Sequence, residues 1–574
     1  MTKRQILLWL CLLLFLWPQQ TEAQTDCYTP ASPKRETRAV WLTTYASLDW
    51  PKAKATGPDG AEAQKAELRR ILDRLQEARL NTVLLQTRVR GSVIYPSAIE
   101  PWDACLTGTA GRSPGYDPLA FAIEECHKRG MELHAWLVAI PCFKTATAKR
   151  MGAKSVLKTH PELCVRHGDS WYLDPGQPGT AAYLASICRE ITEGYDVDGI
   201  HLDYIRYPEQ ATSFNDRASY RKYGKKMPKA DWRRDNVTRC VREIYRAVKA
   251  VKPWVKVSSS PIGKFNDLAR YPSYNWNAYS AVYQDAQGWL REGIQDMLFP
   301  MMYFRDNHFY PFAIDWKEND CGRPVVPGLG IYFLSPQEKD WPLRDITREL
   351  FFIRSLGLGG QAYFRYAHLD GNHKGLFDFL KEDFYPNPAL PAKCPAPDSI
   401  APSAPEDLHG SRAAQGYALR WQAATDNTCG HDVRYNVYAS QTHPVDIGSA
   451  DNLVATGLDS CSFPIDGVFC ALHGVHFAVT AIDRFGNESE AARYSAGTFS
   501  LPGTPRGFLP HDSSTLAIPE QDSPFVVFVD MYGRIVGTAP YSRRIDISLL
   551  PKGIYQIRTL GKKGRSAGIG YFIK

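Results

Sequence analysis

Several signals that would decide function at once are missing from this sequence. It has no P-loop, no early Gly-rich phosphate turn and no Gly-x-Ser-x-Gly elbow, which removes the usual marks of nucleotide binding and of α/β-hydrolase chemistry. Its 13 cysteines are scattered with no CxxC repeat, so neither zinc-ligand spacing nor a small disulfide scaffold is expected. No cofactor and no metal site are expected. No Lys/Arg-rich run or nucleic-acid motif stands out, which argues against nucleic acid as a partner. Beyond the N-terminus no run is apolar enough to span a bilayer.

What is present is a long chain of globular composition. Its 574 residues suit two to four domains, with 44% hydrophobic and 22% charged residues. The formal charge of +7 is mild for this length and is compatible with an acidic polymer without requiring one. Trp (14) and Tyr (30) are plentiful, and a flat ring with a polar tip suits both a core and a sugar face.

The first 23 residues read as a signal peptide. Lys3 and Arg4 precede an apolar run over 6–17, and Thr21-Glu22-Ala23 offers a small-x-small cleavage site. Export to the periplasm, outer surface or medium of a Gram-negative bacterium is therefore expected. That setting permits disulfides, and Cys461 with Cys470 is a plausible pair.

Residues 34–385 alternate strand-like and helix-like segments. Strands are expected at 39–42, 82–85, 133–138, 199–205, 255–259, 297–303, 325–331 and 360–366. Helical periodicity lies between them, as with Leu68, Ile71, Leu72 and Leu75 in 61–79. Eight βα units predict an α/β fold of the (β/α)8 TIM-barrel type, an open doubly wound sheet being the alternative. A Pro-rich linker (386–403) follows. Short alternating strands then predict a β-sandwich over 404–500 and a small β-domain over 511–574.

A barrel of this type keeps its active site at the C-terminal strand ends. The fourth strand runs Asp198-Gly199-Ile200-His201-Leu202-Asp203-Tyr204-Ile205-Arg206-Tyr207-Pro208. Alternation sends one parity into the barrel, and His201 and Asp203 are poor residues to set against a helix, so both are expected to face inward, with Asp203 at the rim. Arg206 would keep Asp203 ionised. Arg88, His134, Trp136, Tyr303 and Tyr366 lie at or near other strand ends and are the expected substrate-binding set, with His201 and Arg206. Glycoside hydrolysis ordinarily needs two carboxylates. Asp203 is the first, and Asp285, then Asp174, are the favoured partners, with Asp306 also in reach of the rim.

These residues carry a family likeness. Arg38-Ala39-Val40-Trp41, Asp49-Trp50-Pro51, Tyr95-Pro96-Ser97, His134-Ala135-Trp136-Leu137, residues 198–208 and Trp232-Arg233-Arg234-Asp235-Asn236-Val237 resemble the glycosyl-hydrolase-like family 10 proteins (formerly DUF187). The resemblance implies a barrel with a glycosidase-type site. Some relatives are periplasmic enzymes that cleave peptidoglycan glycan strands stripped of peptide. The sequence departs from many of them at Gly91-Ser92-Val93, Val138 and Asp203-Tyr204, where polar residues are lost. The expected function is an exported glycoside hydrolase on peptidoglycan or a related polysaccharide; the alternative is a non-catalytic glycan-binding scaffold. Downstream, Tyr435-Asn436-Val437-Tyr438 and Val479-Thr480-Ala481-Ile482-Asp483 resemble a fibronectin type III domain, and 529–534 with 550–555 resemble a Bacteroidetes-type C-terminal β-domain that serves some proteins as a sorting tail.

Overall fold

The computed structural model describes residues 32–573 except 210, 414–415, 429, 431, 466–474, 496–508, 510–513, 519–524, 531–534, 551–553 and 561–565. The expected signal peptide and Cys470 lie outside the described residues. Among the described residues nine cysteines are free thiols, most of them buried, and no helix is long and apolar enough to cross a membrane.

Eight parallel strands form one curled sheet: β1 (Thr37–Leu42), β2 (Thr82–Arg88), β3 (Glu132–Val138), β4 (Gly199–Asp203), β5 (Lys256–Ser259), β6 (Met297–Leu298), β7 (Gly328–Leu329) and β8 (Gly360–Tyr363). Their order is β7-β8-β1-β2-β3-β4-β5-β6. The edges meet: Val326 N–H donates to Leu298 O at 2.8 Å and Gly328 N–H to Pro300 O at 2.8 Å, with parallel bridges Leu298↔Val325 and Met301↔Gly328. The sheet therefore curls until its own edges hydrogen bond, as in a TIM-type barrel. Several expected strands are shorter than read, because 299–303 and 364–365 belong to the loops that follow the strands and 325–327 to the segment that precedes β7.

Helices cover the outside: α1 (Pro58–Glu77), α2 (Pro118–His127), α3 (Pro178–Gly194), α4 (Lys229–Val251), α5 (Ala286–Glu292), α6 (Tyr310–Glu318), α7 (Leu343–Ser355) and the short α8 (Tyr366–Asp370). Their starts follow local chemistry. Pro118 stands in the first turn of α2, where a missing N–H costs nothing, and Asp117 caps Leu119 and Ala120 N–H at 3.0 and 3.1 Å. Leu68, Ile71, Leu72 and Leu75 of α1 are buried against the sheet. The larger apolar core lies in this sheet–helix layer. A smaller one fills the barrel interior, with Trp41, Leu84, Trp136 and Phe299. The connection from β3 to α3 carries a three-stranded antiparallel sheet (Pro141–Lys144, Cys164–His167, Ser170–Leu173) that periodicity did not reveal.

Beyond the Pro-rich stretch, seven strands make a three-stranded and a four-stranded antiparallel sheet around Trp421, Tyr435, Val437 and Phe477. This unit sits on the N-terminal strand face of the barrel. Arg484 bonds Asp196 at 2.5 and 3.1 Å, Arg434 lies 3.6 Å from Asp198, and Lys34 pairs with Glu488 at 2.6 Å. Burial raises the Asp198 carboxyl, but His127, Arg434 and Arg484 outweigh it and hold the group well below the usual carboxylate range. Further small β-sheets follow, built from Thr515–Ala517 with Arg544–Asp546 and from four strands between Phe525 and Ile573.

Arg88 is a correction. Strict alternation along β2 would send it into the barrel with Leu84 and Gln86. A register shift between Gln86 and Arg88 turns it outward instead. There it is fully buried, forked onto Glu100 (2.7 and 2.8 Å), with Tyr183 O–H donating to the same carboxylate at 2.8 Å. It also donates to the carbonyls of Val138 and Ala139 and so ties β2 to the end of β3. Arg88 holds the strand ends in place and does not line a cleft. Leaving Glu100 buried without its partner is expected to cost about 3–5 kcal/mol, so urea unfolding of Arg88→Leu should show a loss of that size. A loss below about 1 kcal/mol would contradict this assignment.

Candidate active site

The register that pairs β3 with β4 sets Val138 opposite Asp203, Trp136 opposite His201 and His134 opposite Gly199. These inward side chains stack in layers along the barrel axis. At the lowest level His134 is fully buried, with Nε2 3.2 Å from Glu132. Its ring occupies the space a side chain at 199 would need, since a Cβ there would lie 2.6 Å from it, which explains the glycine. Above it, His201 accepts from Trp41 Nε1–H at 3.2 Å and contacts Ser258 Oγ at 3.0 Å. Accepting at Nε2 leaves the neutral ring's proton on Nδ1, which then donates to Ser258. Burial, with His134 as a lesser contributor, holds His201 well below the ordinary imidazole range. Both histidines are therefore fully buried core groups beneath the site, not sugar-binding groups at the rim.

Asp203 ends β4 at the rim and is 6% exposed. Its Oδ1 accepts from Tyr204 N–H at 2.7 Å and Ser260 Oγ–H at 3.0 Å; its Oδ2 accepts from Trp136 Nε1–H at 3.1 Å. Burial pushes its pKa up, against the pull of Arg206 and the three donors. Trp136 is thus a positioning group for the carboxylate. Arg206 is 4% exposed, stands 4.6 Å over the Tyr204 ring and leaves Nε and Nη1 without a partner among the described residues. Its Nη2 lies 3.9 Å from Glu209, a residue 66% exposed at its side chain.

Tyr303 lies near Asp203. Burial raises its phenol, and Asp203 is the first charge it feels. Its ring lies 5.3 Å from Phe364 and 5.9 Å from Tyr332, a wall of rings beside the carboxylate. Tyr366 does not join it. It is buried near Asp370, Arg70 and Arg74, among the outer helices, because the chain turns into α8 there.

Neither favoured partner carboxylate meets Asp203 in any contact. Asp285 caps α5, accepting from Gly288 N–H at 3.1 Å. Asp174 is buried in the turn before α3, where it accepts from Ser219 Oγ–H at 2.6 Å and Gly176 N–H at 2.8 Å. Asp306 is 70% exposed beside Arg305. Asp49 is buried under Arg365 with Thr43 and Ala367 N–H donating to it. Glu209 lies 3.9 Å from Arg206 Nη2, and Arg206 is the charge that acts on Asp203.

The sequence reading also missed Ser260 and the rim ring Tyr274, which is 61% exposed beside His308 at 5.6 Å. Ser258-Ser259-Ser260 at the end of a strand was the available signal for the former. The Tyr95-Pro96-Ser97 and Trp232-Arg233 motifs turn out to brace loops. Tyr95 and Ser97 hydroxyls donate to Glu190 at 2.9 and 2.6 Å. Arg233 pairs with Asp216 and lies 4.9 Å over Tyr207.

Comparison with known proteins agrees with this architecture. Residues 36–329 match the family described as Glycosyl hydrolase-like 10. Over 409 residues the chain is 34% identical to Glycosyl hydrolase YngK of Bacillus subtilis (strain 168), covering 68% of this chain and 78% of that protein. Over 343 residues it is 33% identical to Glycosyl hydrolase DigH of Escherichia coli (strain K12), covering 54% of this chain and 78% of that one. The chain belongs to the glycosyl hydrolase-like 10 family and is a glycoside hydrolase acting on a glycan.

Proposed function

We propose that the protein is an exported hydrolase of glycosidic bonds in peptidoglycan glycan strands or a related bacterial polysaccharide, with Asp203 as proton donor and Glu209 as the second carboxylate. The observation that carries the assignment of Asp203 is its cage: a rim carboxyl buried at 6% exposure, raised by that burial, yet offered three hydrogen-bond donors. Burial keeps a proton on it to higher pH than a free aspartate would. With two donors on Oδ1 and one on Oδ2, Oδ2 is the better seat for that proton.

Proton transfer to the glycosidic oxygen leaves a carboxylate that the same donors and Arg206 stabilise without rearrangement. Tyr303 and the neighbouring rings provide an apolar face for the sugar at the cleavage point. Glu209, exposed and free to reach, either activates water or attacks the anomeric carbon, and its separation from Asp203 in a substrate complex decides between inversion and retention. The seven-stranded unit is read as fibronectin type III-like and the last β-domain as a sorting tail. Residues 34–385, 404–500 and 511–574 are the corresponding domain bounds.

Asp203→Asn should lower kcat by ~10²–10⁴-fold while circular dichroism stays unchanged, read by mass spectrometry of products from peptide-stripped strands. Glu209→Gln should fall in the same way. Asp285→Ala should keep its turnover and lose about 1 kcal/mol of stability as a helix cap. Full activity in either of the first two variants would remove that residue from the chemistry.

The pH profile gives a separate check. A raised Asp203 is active while protonated, so kcat falls as pH rises through its folded-state value. The stability it contributes is complete below the unfolded-state value and is lost over that same rise. Because Arg206 pulls this pKa down, Arg206→Gln should move the basic limb of kcat to higher pH. An unmoved or lowered limb would contradict the assignment of Asp203 as acid.

A further inference from the structure

A cleft of about 960 Å³ opens on the strand-end face, between the loops that follow β1, β2 and β3. Its lining carries five cationic side chains, Lys52, Lys54, Arg90, Lys144 and Arg150, against one carboxylate, Asp103. That carboxylate is already used, accepting from Cys105 N–H at 2.7 Å and Ser92 Oγ–H at 2.6 Å. Lys52 and Lys54 are held by neutral oxygens. Lys52 Nζ donates to the Ser47 and Leu48 carbonyls, each at 2.8 Å, and Lys54 Nζ to Ser47 Oγ and the Cys105 carbonyl, each at 2.7 Å. They are fixed in position with their charge uncancelled. Arg90 lies 5.1 Å over the Tyr45 ring. No ion pair found among the described residues involves Lys52, Lys54, Arg90 or Arg150. Lys144 has only an exposed contact of 3.5 Å to Asp169, which contributes little.

Tyr172 and Tyr204 each feel both Arg90 and Arg206, together with Glu209 and, respectively, Asp169 and Asp203, so the two guanidinium groups act on the same two rings. Arg206 is buried with two N–H groups unspent, and buried donors of that kind ordinarily have partners. A planar fork of donors matches a carboxylate in particular.

We propose that this cleft is a binding subsite for carboxylate-bearing sugars, placing the substrate among acidic glycans. The proposal rests on the reading of Asp203 as the hydrolytic centre and adds the cleft and the cationic side chains that read the substrate's carboxylates. Peptide-stripped peptidoglycan and polyuronates share the chemistry. In the former, removal of the peptide amide leaves a free carboxylate on alternate sugars.

The test uses the full chain carrying Asp203→Asn and measures binding calorimetrically. The ligands are peptide-stripped peptidoglycan strands and a polyuronate, each as the free acid and with its carboxylates amidated. At least one free-acid glycan should bind tenfold or more tightly than its neutral form. That advantage should shrink as salt rises and should disappear in a further Arg90→Gln/Arg150→Gln variant. Which glycan shows it identifies the source of the carboxylate. Equal binding of acid and amidated forms, or no binding of either acid, overturns the subsite. Wild-type protein that cleaves amidated strands as fast as free-acid strands also overturns it, while leaving the hydrolase reading intact. Charge-dependent binding without cleavage by the wild type would instead overturn the reading of these glycans as substrates and keep the subsite.

Discussion

Closure of the parallel sheet is the constraint on which the site depends. Once the edges at Leu298 and Val326 hydrogen bond, every second side chain of each strand has no place but the interior. His134, His201 and Asp203 are polar groups forced into that interior at successive levels, and each level is solved differently. At the bottom a glycine makes room and Glu132 contacts the imidazole. In the middle Trp41 and Ser258 hold a neutral ring. Only at the rim does a carboxylate meet three donors and a guanidinium beside open space. An unpaired charge deeper in the barrel would have been neutralised by desolvation. At the rim, burial outweighs the donors and the guanidinium and leaves a carboxyl whose proton is held more tightly than usual.

The two faces of the barrel treat charge in opposite ways. On the N-terminal strand face Asp196, Asp198 and Glu488 are matched by Arg484, Arg434 and Lys34, and the β-sandwich covers them. These contacts are spent on holding two units together. On the strand-end face the cations of the first three loops are anchored by carbonyls, hydroxyls and rings instead of by carboxylates. A surface arranged in that way keeps its field for a ligand. The family motifs divide along the same line: Asp198 anchors the sandwich, whereas five residues later the chain reaches Asp203 at the opposite rim.

Much of this was legible beforehand. The βα alternation, the linker and the later β-units follow from hydrophobic periods and turn residues, which are local properties. The inward parity of His201 and Asp203 followed from period-two alternation, a rule that holds wherever a strand is regular. Arg88 and Tyr303 were read from their place at strand ends alone, which does not fix a direction; at Arg88 one extra residue in β2 reverses the side to which the side chain points.

The sequence by itself determined the class of fold, the order of its units and the one aspartate at the end of the fourth strand, since these depend on neighbours a few residues away. Tertiary structure alone decided which carboxylates and cations share that aspartate's surroundings. Asp285 and Asp174 looked as suitable as any acid in a strand-end loop, but each was closer to backbone N–H groups of its own turn, and those local donors claimed it. Glu209 and the basic cleft gain their meaning from loops that meet only when eight strands close, and no spacing along the chain encodes that meeting.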